Sequence, residues 1–399
     1  MRLHVLTNLF PPDVLGGYEL LAADVARSLR ARGHEVRIVT TGDADRREPG
    51  VARILRLARP FGQKPARDRG RHLVAAAVNR VALRREIARS RPDAVLVMSL
   101  RRLGLEPLRV YGERHVPAVV TVNDDWPASY ANEATRDRSV TQRLLDRGPL
   151  ARHTWRGVRV RRAVYLSESV RTLVRSSGAP MPEGIVKAQG LDLTAFPAHP
   201  FRAIANPPEL LFVGRLHPTK APDVAIDALR VLHARGISAR LTLAGAADDA
   251  AYQADLRARA ASVAPFVTWL GQVPRAELPA VFARADVLLY PLRTDLEAQG
   301  LTYLEAMASG VPVVAFPRGG ARELLDGHDV TARAATCDGE GFADAVATLA
   351  GDVDRQRALV GHGTKFVSEH TSLDRYVDAL ERELFAARAE QDQDQGEGR

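Results

Sequence analysis

Two glutamates stand eight positions apart in "DLEAQGLTYLEAMASGVPVVAF" (residues 295–316), Glu297 ahead of a glycine and Glu305 beyond it. A carboxylate accepts hydrogen bonds at both oxygens, so it can grip two neighbouring hydroxyls, as a vicinal diol presents them. Pro291 closes an apolar run, "LRTDLEAQG" reads as a loop, and Leu301 or Thr302 opens a helix, which places Glu297 in the loop and Glu305 in about the first turn. The two can then face one space without sharing a helical stripe. Amides near Gly300, Leu301 and Thr302 are unpaired at such a helix start and open to an anion or a hydroxyl. Taken alone, Glu305 is also explained as a favourable charge at a helix N-terminus.

A second stretch, "FVGRLHPTKAPD" (212–223), puts Arg215 and Lys220 in a loop after Gly214 ends a strand. Two fixed cations there suit a diphosphate, whose charge of about −2 is costly to hold away from water. Without further context the pair also reads as surface charge, and His217 between them as a loop residue. A third stretch, "PPDVLGGYE", brings Gly16 and Gly17 before a helix, where backbone lacking a Cβ can approach a ligand at the helix's positive end. A glycine pair alone equally serves a tight turn.

The elements around these stretches alternate. "RLHVLTNLF", a helix with Leu21, Val25 and Leu29 four apart, and "RGHEVRIVTTG" form a strand, helix, strand unit, the mark of a parallel sheet. Further strands are expected at 94–100, 118–123, 163–169 and 184–189. After a proline-punctuated linker (194–208) the pattern restarts with runs at 209–216, 239–245, 267–271, 286–291 and 311–316, apolar enough for strands buried on both faces. Two consecutive α/β domains follow. In doubly wound sheets ligands gather at the carboxyl ends of strands, where all three stretches lie.

Composition fits such a protein: 399 residues exceed what one core usually serves, and 46% are hydrophobic. The single cysteine, Cys337, cannot form an internal disulfide, and no Cys/His cluster has metal-ligand spacing, which favours a reducing compartment. "DAD" at 43–45 lies in a polar loop and reads as incidental. No signal peptide or membrane span is expected, and the location expected is cytoplasmic. Residues 1–200 hold 35 Lys+Arg against 20 Asp+Glu, and the remainder 21 against 28. A basic half of this kind is either a solvated surface or a face for an anionic membrane. No aromatic stacking platform accompanies the charge, so nucleic acid is not expected as a partner.

In order and spacing, "FPPDVLGGYE", "LRARGHEV", "LSES", "GLDLTAF", "FVGRLHPTKAPD", "ADVLLYP", "EAQGLTYLEAMASGVPVV" and "GGARELL" resemble the retaining glycosyltransferases of family 4. The resemblance spans nearly the whole chain. It implies the GT-B fold: an N-terminal Rossmann-like acceptor domain (1–198), a C-terminal Rossmann-like donor domain (199–371), the two facing a cleft, and a helix (372–390) returning to the first domain. The polar tail 391–399 is expected to lack structure.

The resemblance also implies roles. Gly16 and Gly17 would approach the donor diphosphate, Gly214 would belong to the donor site, Arg215 and Lys220 would neutralise the diphosphate as it leaves, Glu297 would hold the transferred sugar, the amides at Gly300, Leu301 and Thr302 would contact sugar and phosphate, and Glu305 would hold the ribose diol. Arg215, Lys220 and Glu297 would form the catalytic set, with no metal and no cofactor beyond the nucleotide-sugar donor. The acceptor would be a glycan, a lipid-linked precursor or a small molecule. Where many relatives carry His-Asp after the strand matching "AVVTV", this chain has Asn123, Asp124 and Asp125, so Asn123 and Asp124 are expected to contact sugar. Asparagine can hydrogen-bond a hydroxyl there but cannot titrate. Gln299, Ala298, Ala221 and Gln189 stand where Phe, Gly, Gly and Asn are frequent. The rivals are a nucleotide-sugar epimerase of the same fold, which needs no acceptor, and a non-catalytic nucleotide-sugar-binding protein. No G-x-G-x-x-G follows the first strand, which counts against a dehydrogenase.

Overall fold

A computed structural model describes residues 1–14, 17–58, 69–135, 155–295 and 297–397. The chain divides into two compact units, Met1–Gly190 with Tyr376–Arg399, and Leu191–Arg375. The division falls eight residues before the boundary expected at 198/199. Residues 191–198 belong with the second unit because Leu191 exchanges backbone hydrogen bonds with Thr371 and Leu373, at 2.7 and 2.8 Å.

The first unit holds seven strands: β1 (Arg2–Leu6), β2 (Glu35–Thr41), β3 (Val51–Leu55), β4 (Ala94–Val97), β5 (Ala118–Val122), β6 (Arg162–Tyr165) and β7 (Ile185–Val186). They lie in the order β3-β2-β1-β4-β5-β6-β7, every pair parallel. The second holds β8 (Glu209–Val213), β9 (Arg240–Ala244), β10 (Val267–Gly271), β11 (Val287–Pro291), β12 (Val313–Phe316) and β13 (Ala332–Arg333). Their order, β10-β9-β8-β11-β12-β13, repeats that of the first unit, again all parallel. This is the doubly wound arrangement, with a reversal beside the first strand of each unit.

The runs in β8, β11 and β12 are apolar because both faces are covered. Leu210, Phe212, Val287 and Leu289 turn to one core with the Pro222–Ala234 and Gly339–Ala350 helices. Leu211, Leu288 and Tyr290 turn to another with Tyr303 and Leu304 of the Thr302–Ala308 helix and with Phe366 and Val367. This period-2 split of one strand between two cores is the reason the sequence shows no polar face there.

β3 was not among the expected strands. Its central Arg53 interrupts the apolar run, yet its side chain is only 1% exposed, and its two terminal nitrogens are bound by Glu48 at 2.7 Å, Asp13 at 3.4 Å and the carbonyls of Phe10 and Pro11 at 3.2 and 2.6 Å. The last helix, Leu373–Glu397, belongs to the first unit from Tyr376 onward. It is fastened there by Arg32 to Asp378 and Glu381, His34 to Glu381, and Arg162 to Glu383 and Glu390. It continues through 391–397, where a disordered tail was expected. Arg388–Asp392 at 3.0 Å supports that turn, and Arg161 holds Gln391 at 3.1 Å and Asp394 at 2.5 Å.

Candidate functional site

In the second unit the strand order reverses between β8 and β11, which pair directly. The loops leaving their carboxyl ends therefore meet, although one carries residues 214–221 and the other 292–301. The first starts tightly. Gly214 donates to the Ala244 carbonyl at 2.9 Å, and a Cβ on Gly245 would stand 1.8 Å from the Gly214 oxygen, so only glycine fits. His217 then caps the short Pro218–Lys220 turn, its Nδ1 accepting from Thr219 N at 3.3 Å. Ala221, buried at φ +52°, holds the left-handed conformation that glycine adopts without strain.

The loop after β11 is tied back to the first by Arg293 N, which donates to the Thr219 carbonyl at 3.1 Å. Arg293 also pairs with Asp223 at 2.7 Å, and Asp223 accepts from the Tyr252 hydroxyl at 3.1 Å. Across this junction Lys220 Nζ reaches Glu297 Oε2 at 2.5 Å, each side chain 21% exposed. Arg215 does not join them. It pairs with Asp248 at 2.8 Å, and both side chains are largely exposed.

The Glu297 loop rests on a third segment, "GGARELL", to which the sequence alone assigns no role. Gly319, at φ +53°, has room for no side chain: a Cβ would lie 2.5 Å from the Asp295 carbonyl and 2.6 Å from that of Glu297. Gly320 N donates to the Glu297 carbonyl at 2.9 Å, and Arg318 pairs with Asp295 at 2.6 Å. The signal was the glycine pair in "GGARELL".

The helix begins at Thr302, as expected, with Leu301 at its N-cap and Gly300 at φ +78°. Glu305 is buried within its first turn. Burial pushes its carboxyl up to about 7, with Arg275 pulling the other way. Gln299 is buried at 2% exposure. Two phenols stand behind the loop, Tyr290 and Tyr303, with ring centroids 5.0 Å apart and buried hydroxyls that find no hydrogen-bond partner among the described residues.

In the first unit Gly16 lies outside the described residues. Gly17 opens the Gly17–Ala31 helix and is exposed. Arg53 fixes the backbone of the "PPDV" turn leading to that glycine pair. A polar group gathers at the carboxyl ends of β1, β4 and β5. Asn8 Nδ2 donates to Ser99 at 3.0 Å, while Asn123 is buried with its Oδ1 unpartnered among the described residues. Asp124 is committed elsewhere: one oxygen accepts from Trp126 N at 2.9 Å, capping the Trp126–Thr135 helix, and the other pairs with Arg101 at 3.0 Å. Arg101 also takes Asp125. Tyr18 lies beside Asp124, and burial first, then that charge, raise its phenol well above the usual range. Asn8, Ser99, Arg101 and Tyr18 gave no sequence signal, since each is a single residue in a loop after a strand or, for Tyr18, in the first turn of a helix.

Among the described residues no group of three or more His, Cys, Asp or Glu could hold a metal ion, and no helix is long and apolar enough to cross a membrane.

Two doubly wound parallel sheets with loops converging at the reversal define a GT-B type glycosyltransferase architecture. The crystal structure of Anabaena Alr3699/HepE in complex with UDP and glucose superposes on 97% of this chain and 100% of its own, with a TM-score of 0.69 at 18% identity. Residues 15–185 match the profile described as Glycosyltransferase Family 4 and residues 207–352 that of Glycosyl transferases group 1. The GDP-mannose-dependent alpha-(1-6)-phosphatidylinositol monomannoside mannosyltransferase of Mycobacterium tuberculosis H37Rv is 29% identical over 389 residues, 92% of this chain and 94% of that one. The D-inositol 3-phosphate glycosyltransferase of Nocardia farcinica is 33% identical over 56% of this chain and 53% of its own. The chain belongs to the family 4, group 1 glycosyltransferases.

Proposed function

We propose that this protein transfers a sugar from a nucleoside diphosphate donor to a hydroxyl acceptor with retention at the anomeric carbon, and needs no metal or cofactor. The observation that carries the reading is the Lys220–Glu297 pair across the β8/β11 junction, a cation and a carboxylate held together where a diphosphate and a sugar would meet. A donor diphosphate competes with Glu297 for Lys220, which frees the carboxylate for sugar hydroxyls. Arg215, exposed and paired among the described residues with Asp248, can exchange an aqueous ion pair of little worth for the second phosphate. Gly214 and the amides of Gly300, Leu301 and Thr302 approach the same group, and Glu305 takes the ribose diol.

In the transfer the bond from C1 to the phosphate oxygen breaks with its electron pair going to the diphosphate. The acceptor oxygen bonds C1 on the same face, and its proton passes to a donor phosphate oxygen. Lys220 and Arg215 stabilise the charge that gathers on the leaving group, the kind of fixed electrostatics that supplies much of an enzymatic rate. Asn123, with an unpartnered Oδ1 and no charge, is suited to accept from a sugar hydroxyl. Asp124 positions the loop instead.

The acceptor we favour is lipid-linked, met by a cytoplasmic protein resting on an anionic membrane through its basic first half. The phosphatidylinositol mannoside acceptor named for the mycobacterial relative supports this choice. Incubation with GDP-mannose or UDP-glucose and a membrane lipid extract should give a product whose anomeric configuration, read by NMR, matches the α-linked donor. A β-linked product would refute retention, and an isomerised donor formed without acceptor would replace transfer by epimerisation.

A further inference from the structure

Tyr290 lies near the end of β11, on the face it shares with Tyr303, and its hydroxyl is buried with no hydrogen-bond partner among the described residues. Phenylalanine would fill that space without the cost of dehydrating a hydroxyl, so the hydroxyl is unused in this state of the protein. What lies beside it is Glu297. Of that carboxylate's two oxygens, Oε2 is taken by Lys220, while Oε1 faces Gly300. A Cβ at Gly300 would stand 2.4 Å from the Tyr290 hydroxyl and 3.4 Å from Glu297 Oε1, so phenol and carboxylate approach one glycine with no side chain between them. Gly300 also sits at φ +78°, which keeps the position bare. The carboxylate is felt at the phenol: after burial, its charge is the largest influence raising Tyr290 well above the usual range.

We propose that Tyr290 is a positioning residue for Glu297, donating its phenol hydrogen to the carboxylate once the donor diphosphate has drawn Lys220 away. Without Lys220, Glu297 has no cation among the described residues to hold it, and a carboxylate released into a loop would sample several rotamers. The phenol gives it one fixed donor on the side away from the sugar. The other oxygen stays free for the sugar's hydroxyls. The inference rests on the donor reading of this site and adds the residue that keeps Glu297 oriented after donor binding.

Replacement Tyr290→Phe tests it through nucleotide release from GDP-mannose and UDP-glucose with a membrane lipid extract, alongside thermal melting. We expect kcat to fall about tenfold with the donor KM within about twofold, since the contact forms only after binding. The melting temperature should stay level or rise, because an unpaired buried hydroxyl is removed. Unchanged kcat overturns the inference, and so does a lower kcat accompanied by a lower melting temperature, which marks a structural role. The two readings fail separately: wild type active and Tyr290→Phe equal to it removes the inference alone. A wild type that neither binds GDP or UDP in calorimetry nor releases them removes the donor site, and the inference with it.

Discussion

The two units share a strand order and differ in what they do at its reversal. In the second, the loops leaving β8 and β11 are locked to each other and to a third segment through Gly319, so the chemistry-bearing side chains stand on fixed backbone. In the first, backbone bonds join Ala58 to Arg102 and Thr41 to Asn8, but the glycine turn and the loop after β5 are held by side chains: Arg53 under the turn, and Arg101 on Asp124 and Asp125. A loop braced by backbone contacts holds charged groups ready for a charged ligand. A loop braced by single ion pairs can change its contacts residue by residue, which would suit the acceptor-binding role expected of this unit.

The sharpest way to break that contrast is Gly319→Ala. A left-handed alanine and two carbonyls at 2.5 and 2.6 Å from its Cβ should together cost about 4 kcal/mol. Hydrogen exchange should show faster opening around 292–301 and unchanged protection in β1, β4 and β5. Equal loosening of both units would mean that they do not brace their loops separately.

A smaller effect is expected from Glu305. Its folded carboxyl titrates at about 7 against an ordinary 4.5, so the folded chain holds the proton more tightly than the unfolded one. That contribution to stability is fully present below 4.5 and is lost as pH rises through 7, a difference of about 3 kcal/mol at most. Glu305→Gln, without nucleotide, should therefore melt above the wild type at pH 8 and lose that advantage by pH 4.5. A gain that is the same at both pH values would show that burial of this carboxyl is not the cause.

How much of this could be read beforehand follows the same division. β8, β11 and β12 announce themselves because both their faces are covered, and the glutamate loop because a proline, a glycine and a helix start frame it. β3 does not, since its central residue is an arginine whose burial is made tolerable by partners from distant loops. The helical stretch 391–397 is equally hidden: its composition is that of a solvated tail, and its support comes in part from Arg161 in the first unit. Lys220 and Glu297 were legible as residues of the right kind, yet their pairing was not. Nor was the separation of Arg215, which depends on where Asp248 falls in the loop after β9. Tyr290 gave no sign at all, because in sequence it is one more apolar strand residue.

The central claim is that the reversal in the second unit holds the donor diphosphate through Lys220. Calorimetric titration of GDP and UDP into wild type, Lys220→Ala and Asn123→Ala measures this directly. The account predicts that the nucleotide bound by wild type binds Asn123→Ala with affinity within about threefold and Lys220→Ala at least about thirtyfold more weakly, a loss of about 2 kcal/mol. Undiminished binding to Lys220→Ala, or a loss confined to Asn123→Ala, would contradict it.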